Sequence, residues 1–173
     1  MQIVLDRETF DSTPDGELGG ACFAPVIPLV RAKSMEVKEE VYRRMTEGQK
    51  ALFLFYAFYN HACHSMREYF WWCAYDYAQP KLWAGLKEAL RYFGAESMRE
   101  VLEETGNLLE KHGFPVSLEA FSLSPEELDR WPELLPDVQS LYARFTEAAP
   151  AALTRIGATI RGRPGEFVAF DNP

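Results

Sequence analysis

The chain has 173 residues, of which 47% are hydrophobic and 14% aromatic, and it carries a formal net charge of −8. This length and apolar content exclude a disordered chain and are typical of one domain with a buried core. The negative charge argues against direct binding of nucleic acid, because contacts with phosphates require a cationic surface.

The cysteines and the longest uncharged run indicate the compartment. Cys22, Cys63 and Cys73 are odd in number, and residues 1–10 mix charges into a short apolar run, unlike a secretory signal. Residues 51–66 are uncharged but fewer than the roughly 20 residues that cross a bilayer. We therefore expect a cytoplasmic protein with reduced thiols and no membrane contact.

Residues 1–34 are predicted to form an extended arm over the core. Ile3-Val4-Leu5 is typical of a short strand, and Pro14-Asp15-Gly16 is typical of a turn. Gly19-Gly20 and later prolines interrupt any helical period in this segment. The remaining residues, 35–173, are predicted to form one helical domain.

Helix signals begin at Ser34. This serine is a suitable N-cap for a helix that ends near Thr46. A second helix, apolar on all sides, is predicted from Glu47 or Gly48, and a break follows it at residues 61–65.

Prolines and glycines delimit the next three helices. Inward-facing spacing predicts a helix over residues 66–77, and Pro80 either stops it or starts the next one. A stripe of leucines predicts a helix over residues 81–93 with Gly94 as its C-cap, and the helical pattern then continues to Lys111.

The C-terminal third carries two further helix signals. Ser124-Pro125-Glu126-Glu127 predicts a helix start, with serine as the N-cap and the second glutamate closing a capping box. A last long helix is predicted from about Asp137 to Ile160, with Pro150 as a point where it could kink, and residues 161–173 are predicted to form a strap. The chain is therefore predicted to be all-α, a single-domain helical bundle with an extended N-terminal arm and a C-terminal strap.

The formal charge is concentrated in residues 95–137, which hold eleven acidic and three basic residues. The difference of −8 equals the net charge of the whole chain. Solvated helix faces explain such a pattern, and the alternative is a surface that attracts a cationic protein, including one that normally binds DNA. The residues predicted to contact such a partner are Glu96, Glu100, Glu103, Glu104, Glu119, Glu126, Glu127, Asp129 and Glu133.

His61, His64 and Glu68 are the candidate metal ligands. On an unbroken helix their spacing places two imidazoles and a carboxylate on one face, a set that suits zinc or iron. The other interpretation is that they are polar residues at a helix bend, since the sequence offers no further ligand. A cysteine nucleophile is not supported, because Cys63 and the adjacent His64 diverge on a helix, and we assign no cofactor.

Half of the aromatic residues lie between Phe53 and Trp83, so this segment is predicted to be core. Trp71, Trp72 and Tyr75 cannot all face one neighbour, and we expect some of them at a homodimer interface or under the arm. Asp76, on the same helix, is expected to reach water. An aromatic-lined pocket for a small molecule is a further alternative for this segment.

Four stretches carry a resemblance to a known family, at residues 48–54, 64–70, 86–95 and 160–167. They read Gly-Gln-Lys-Ala-Leu-Phe-Leu, His-Ser-Met-Arg-Glu-Tyr-Phe, Leu-Lys-Glu-Ala-Leu-Arg-Tyr-Phe-Gly-Ala and Ile-Arg-Gly-Arg-Pro-Gly-Glu-Phe. From about residue 45 to 168 the chain resembles a bacterial helical family that includes a Neisseria DNA-mimic protein and mostly uncharacterised relatives. The second stretch departs from the family's Asn-Gly-Gly-Phe turn, so no functional residue is carried over there. The resemblance implies an all-α fold, no known enzymatic activity and, in one relative, an acidic surface that imitates DNA.

Together these features predict a non-enzymatic cytoplasmic helical protein that binds a basic protein partner through an acidic surface, with DNA mimicry as one form of that binding. The alternative is a metal-binding helical protein or a metal-dependent enzyme that uses His61, His64 and Glu68. An apolar cavity near residues 69–77 would instead favour a small-molecule site.

Overall fold

The computed structural model describes residues 1–124, 128 and 131–171, which form a helical bundle with one two-stranded sheet. The predicted all-α class is therefore confirmed. In chain order the elements are β1 (Val4–Leu5), α1 (Arg7–Ser12), α2 (Asp15–Phe23), α3 (Ile27–Val30), α4 (Met35–Arg43), α5 (Glu47–Ala62), α6 (Met66–Tyr77), α7 (Pro80–Tyr92), α8 (Glu96–Lys111), α9 (Leu135–Gly162) and β2 (Ala169–Phe170). Short 3-10 turns occupy Ala24–Val26 and Pro164–Glu166.

Side-chain caps fix the boundary between α4 and α5. Ser34 accepts a hydrogen bond from the backbone N–H of Val37 and begins α4, as predicted. α4 ends at Arg43, short of the predicted Thr46, because Thr46 is itself the N-cap of α5. Thr46 and Gln49 form a reciprocal capping box, in which Thr46 Oγ1 accepts a hydrogen bond from the backbone N–H of Gln49 at 3.1 Å.

Proline and glycine mark the two ends of α7, whereas α9 continues through a proline. Pro80 is the first residue of α7, and Gly94 follows its last turn with φ +66°, the left-handed conformation that ends a helix. α9 begins two residues before the predicted Asp137 and runs without interruption through Pro150. The capping box predicted at residues 124–127 depends on residues outside the described part of the chain.

The N-terminal segment is helical, which corrects the prediction of an extended arm over residues 1–34. α2 packs along α9, and its Leu18 and Cys22 are fully buried. Burying these side chains and Phe23 stabilises the helix by more than its glycines cost, since a glycine in a helix costs about 1 kcal/mol relative to alanine. The prediction failed because it weighed local propensity without this tertiary contact.

Glycines make the contact between α2 and α9 possible. A Cβ atom on Gly19 would lie 2.8 Å from the Ile156 side chain. A Cβ atom on Gly157 would lie 2.0 Å from the backbone oxygen of Asp15, well inside van der Waals contact. The two helices therefore approach at a distance that only glycine allows at these positions.

The two ends of the chain meet beside α5. β1 pairs in parallel with β2, which confirms the predicted strand. Of the predicted strap over residues 161–173, Arg161 and Gly162 belong to α9 and Pro164–Glu166 form a 3-10 turn, while Ala169–Phe170 pack back onto β1. Gln49 is buried, and its side-chain amide donates to the backbone oxygens of Met1 and Phe167, both at 2.9 Å. One α5 side chain therefore holds both termini in place.

The aromatic segment forms the interior, as predicted. Phe55, Phe58 and Tyr69 are buried, and Phe145 of α9 packs ring to ring against Phe58 and Tyr69. The Tyr69 hydroxyl shares a hydrogen bond of 2.6 Å with Thr105 Oγ1 on α8, which satisfies a polar atom inside the core. In the described ranges of the chain, no helix is long and apolar enough to cross a membrane.

Candidate functional site

Helix α8 carries its carboxylates on one face. At about 100° per residue, its five glutamates fall within an arc of about 120°. They are Glu96, Glu100, Glu103, Glu104 and Glu110, and we call them the α8 acidic face. The opposite side is buried in the bundle through Met98, Val101, Leu102, Thr105 and Leu109. The carboxylates therefore lie on the solvent side of the helix.

Arginines neutralise part of the α8 acidic face. Arg99 pairs with Glu96 at 2.7 Å and also contacts Glu103, one turn further along the helix. Arg144 of α9 donates two hydrogen bonds to Glu104, and these bonds lower the pKa of the Glu104 carboxyl. Three of the five carboxylates are therefore held in fixed positions by a guanidinium group.

Glu100 and Glu110 are exposed and form no ion pair with any described residue. Glu110 was not among the residues that we predicted to contact a partner. It follows Glu103 by seven residues and therefore lies on the same helix face. Glu119 and Glu133 were predicted to contact a partner, and both are exposed in the connection between α8 and α9. The other residues predicted to do so, Glu126, Glu127 and Asp129, lie outside the described residues.

The predicted metal ligands do not form a metal site in this structure. α5 ends at Ala62, so the spacing expected on an unbroken helix does not apply. The His61 ring stacks on Trp72 at 4.2 Å, and the Glu68 carboxylate accepts a hydrogen bond from the indole N–H of Trp72 at 3.1 Å. Within the described residues, no three His, Cys, Asp or Glu side chains are placed to hold a metal ion, and this includes His64.

Burial shifts the pKa values of the histidine and cysteine side chains in the same region. It lowers the pKa of His61, against a smaller opposing effect of the Glu68 carboxylate. It also raises the pKa of the Cys63 thiol, and it raises that of Cys73 well above its ordinary value. Both cysteines are therefore protonated thiols at neutral pH rather than reactive thiolates.

The exposed side of α6 is partly covered by the chain itself. The rings of Trp71 and Tyr75 stack at 5.0 Å, and Phe121 meets both edge-on. The indole N–H of Trp71 donates to the backbone oxygen of Leu123 at 2.8 Å. The connection after α8 therefore occupies part of the surface that we predicted for an arm or a second protomer, and a homodimer stays a prediction.

A cavity of about 510 Å³ lies between α4 and the helices α5, α6 and α7. Its volume is in the range of small-molecule sites. The lining residues are Met35, Lys38, Glu39, Tyr42, Arg43, Phe53, Leu54, Ala57, Phe58, Trp72, Tyr75, Asp76, Gln79, Leu82 and Leu86. This is the feature expected for the alternative of an aromatic-lined site, and it lies at the predicted segment.

Asp76 is buried in the wall of this cavity, so it contacts water only through the cavity and not at the open face of α6 where we expected it. The residue is 5% exposed, and its carboxyl forms no hydrogen bond or ion pair with the described residues. Burial raises the pKa of Asp76 to about 7. The sequence held a signal for this position, because Asp76 follows the buried Tyr69 by seven residues and therefore lies on the same side of α6.

No family model, curated protein or solved structure matches this chain.

Proposed function

We propose that this chain is a binding protein whose α8 acidic face, together with the acidic connection that follows α8, recognises a cationic protein partner. The observation that supports this proposal most directly is that all five α8 glutamates share one solvent-facing side. The whole formal charge of −8 falls within residues 95–137, which contain this helix and the connection. A carboxylate-rich surface of this kind attracts cationic proteins and speeds their association.

The ion pairs on α8 are compatible with this role. Arg99 and Arg144 reduce the charge of the face, but they also hold Glu96, Glu103 and Glu104 in defined positions. A surface with fixed carboxylates loses less side-chain entropy on binding than one with free side chains. Glu100 and Glu110 supply the carboxylates that a partner's lysines or arginines can pair with.

A DNA-binding protein is the partner class that we propose. Its phosphate-contacting surface is a row of cations, which is the complement of a row of carboxylates. Glutamates three and four residues apart on a helix stand about 5–6 Å from each other, a spacing short enough for several cations to engage at once. The resemblance that we predicted from the sequence, to a family with a DNA-mimic member, suggests the same class.

Displacement from DNA tests the proposal. A bacterial DNA-binding protein fraction is bound to immobilised DNA, and the purified chain is added at salt concentrations from about 50 to 200 mM. We expect the chain to release at least one cationic protein beyond the amount that the same salt releases without the chain, and this excess to fall as salt rises, because salt screens exposed charges.

Matched charge variants distinguish recognition from bulk charge. Glu100→Lys with Glu110→Lys is expected to abolish the release. Glu8→Lys with Glu17→Lys makes the same change in net charge at exposed sites on α1 and α2 and is expected to retain it. The proposal is wrong if no protein is released at low salt, or if both double variants behave alike.

A further inference from the structure

The cavity lined by Asp76 is not explained by the proposed function, because it lies between α4 and the helices α5 to α7 rather than on α8. We call it the Asp76 cavity. Phe53, Leu54 and Phe58 of α5 and Leu82 of α7 form much of its apolar wall. Its volume of about 510 Å³ is sufficient for a compact organic molecule.

Asp76 is the polar group that distinguishes this cavity from a packing defect. A carboxyl group on a residue that is only 5% exposed would ordinarily have a hydrogen-bond donor or a cation beside it, unless it opens onto a cavity that water can enter. No described residue provides either one to Asp76. The carboxyl oxygens therefore have their hydrogen-bonding capacity available to a molecule in the cavity.

We propose that the Asp76 cavity binds a small organic amine, with its ammonium group on the Asp76 carboxylate and its apolar body between α5 and α7. The ammonium group supplies both the positive charge and the N–H donors that this carboxylate lacks. The apolar body replaces water along the phenylalanine and leucine side chains.

The aromatic rings around Asp76 favour a cation over other ligands. Tyr42, Trp72 and Tyr75 line the same cavity, and the faces of such rings attract ammonium groups. A ligand with a carboxylate would instead place a second negative charge in an apolar site beside Asp76, which is unfavourable. A neutral alcohol would gain the apolar contacts but not the ion pair.

Charged side chains at the α4 edge of the cavity do not oppose a cation strongly. Arg43 pairs with Glu40 at 3.0 Å, and its side chain is largely exposed. Lys38 is adjacent in sequence to Glu39, and both line the cavity. The two positive and two negative charges on this part of α4 balance, so the unpaired carboxylate of Asp76 determines the preferred charge of the ligand.

Binding of an amine is expected to depend on pH through Asp76. Because burial raises the pKa of this carboxyl to about 7, the amine must displace its proton under more acidic conditions, and affinity is expected to rise with pH up to about that value. The charged and titratable groups around the cavity are Lys38, Glu39, Tyr42 and Arg43 on α4 and Cys73 and Tyr75 on α6. The lining residues from α5 and α7 carry no charge.

Calorimetric titration of the full chain with octylamine, 1-octanol and octanoate tests the proposal. These probes share one alkyl chain and differ in the head group; octylamine and octanoate are used below their micelle concentrations and 1-octanol below its solubility limit. We expect octylamine to bind roughly tenfold or more tightly than 1-octanol, which corresponds to about 1.4 kcal/mol, and octanoate to bind least.

Two variants locate the binding site. Asp76→Asn keeps the shape of the side chain and is expected to remove the preference for octylamine while it retains the affinity for 1-octanol. Ala57→Trp fills the cavity from α5 and is expected to abolish binding of both probes. The proposal is overturned if octanoate or 1-octanol binds as tightly as octylamine, if Asp76→Asn keeps the amine preference, or if no probe binds the wild-type chain.

Discussion

The Asp76 carboxyl has a higher pKa in the folded chain than in the unfolded chain, so it holds its proton to a higher pH when folded. Its folded pKa is about 7, whereas the ordinary value is 3.8. Between these values the folded state holds a proton that the unfolded state has released, so the free energy of unfolding falls as pH rises. The slope approaches 1.4 kcal/mol per pH unit, and the total loss is on the order of 4 kcal/mol once the carboxyl is ionised.

Asp76→Asn is therefore expected to remove this loss and to be more stable than the wild type above neutral pH. Urea unfolding at about pH 5 and pH 8 measures the effect, since the two proteins should differ most at the higher value. Asp137→Asn, at an exposed position, is the control and should follow the wild type. An equal pH response in wild type and Asp76→Asn would show that Asp76 is solvated.

The roles of single residues could be predicted from the sequence where those roles depend only on neighbours in the chain. Ser34 caps α4 through its neighbour Val37, and Gly94 ends α7 through its own φ, so short-range patterns were enough. The burial of Asp76 depends on α4 and α5, whose lining residues are distant from it in sequence. The same applies to Glu104, whose partner Arg144 lies 40 residues away.

The contact between α2 and α9 depends on glycine at the element scale. Gly157→Ala would place a Cβ atom 2.0 Å from the backbone oxygen of Asp15. Backbone cannot move aside as a flexible side chain can, so we expect the variant to lose about 3 kcal/mol or more of stability, or to displace α2. Urea unfolding monitored by circular dichroism measures this loss.

Gly162→Ala, five residues further along α9, is the matched control. No atom lies within 4 Å of a Cβ at Gly162, so the change is sterically free. We expect it to be neutral or to stabilise α9 by up to about 1 kcal/mol. If the two alanine variants were equally stable, the close approach of α2 to α9 would be incorrect.

The helices from α4 to α8 were predicted because their apolar spacing, caps and breakers agree with one another. α2 was missed because its local signals disagree with its environment: Gly19-Gly20 disfavours a helix, while Leu18 and Cys22 bury their side chains. The metal site was predicted from spacing on a helix that ends at Ala62. The burial of α2 depends on α9, whereas the spacing of the candidate metal ligands was altered by the end of α5 between His61 and His64.

At the scale of the whole molecule, Gln49 joins both ends of the chain to α5. Its amide donates to the backbone oxygens of Met1 and Phe167, and its side-chain oxygen accepts from the backbone N–H of Thr46 at 3.2 Å. Gln49→Ala removes three hydrogen bonds and leaves their partners unsatisfied. We expect a loss of about 3 kcal/mol in the free energy of unfolding.

Gln139→Ala is the control for this prediction, because Gln139 is exposed on α9. It is expected to change stability by less than about 0.5 kcal/mol. Limited proteolysis adds a local readout, since loss of the Gln49 contacts should release β1 and β2 before the bundle unfolds. Unchanged protection of both termini in Gln49→Ala would contradict this role.

The net charge of the molecule could be predicted from the sequence, but the positions and ion pairs of the charged side chains could be predicted only in part. Residue counts located the net charge of −8 in residues 95–137, and helical spacing places five carboxylates on one side of α8. Pairing of that side with Arg144 follows from the packing of α9 and could not be read from the sequence. The proposed recognition through the α8 acidic face would therefore depend on the carboxylates that form no ion pair with a described residue, Glu100 and Glu110.

The most direct test of recognition is the salt dependence of binding. A protein recovered by displacement from DNA is titrated with the wild-type chain and with the Glu100→Gln, Glu110→Gln variant, from about 50 to 200 mM salt. We predict that the logarithm of the association constant falls steeply with the logarithm of salt concentration for the wild type and less steeply for the variant. An association constant that does not change with salt concentration, or that has the same salt dependence in both proteins, would contradict recognition through the α8 acidic face.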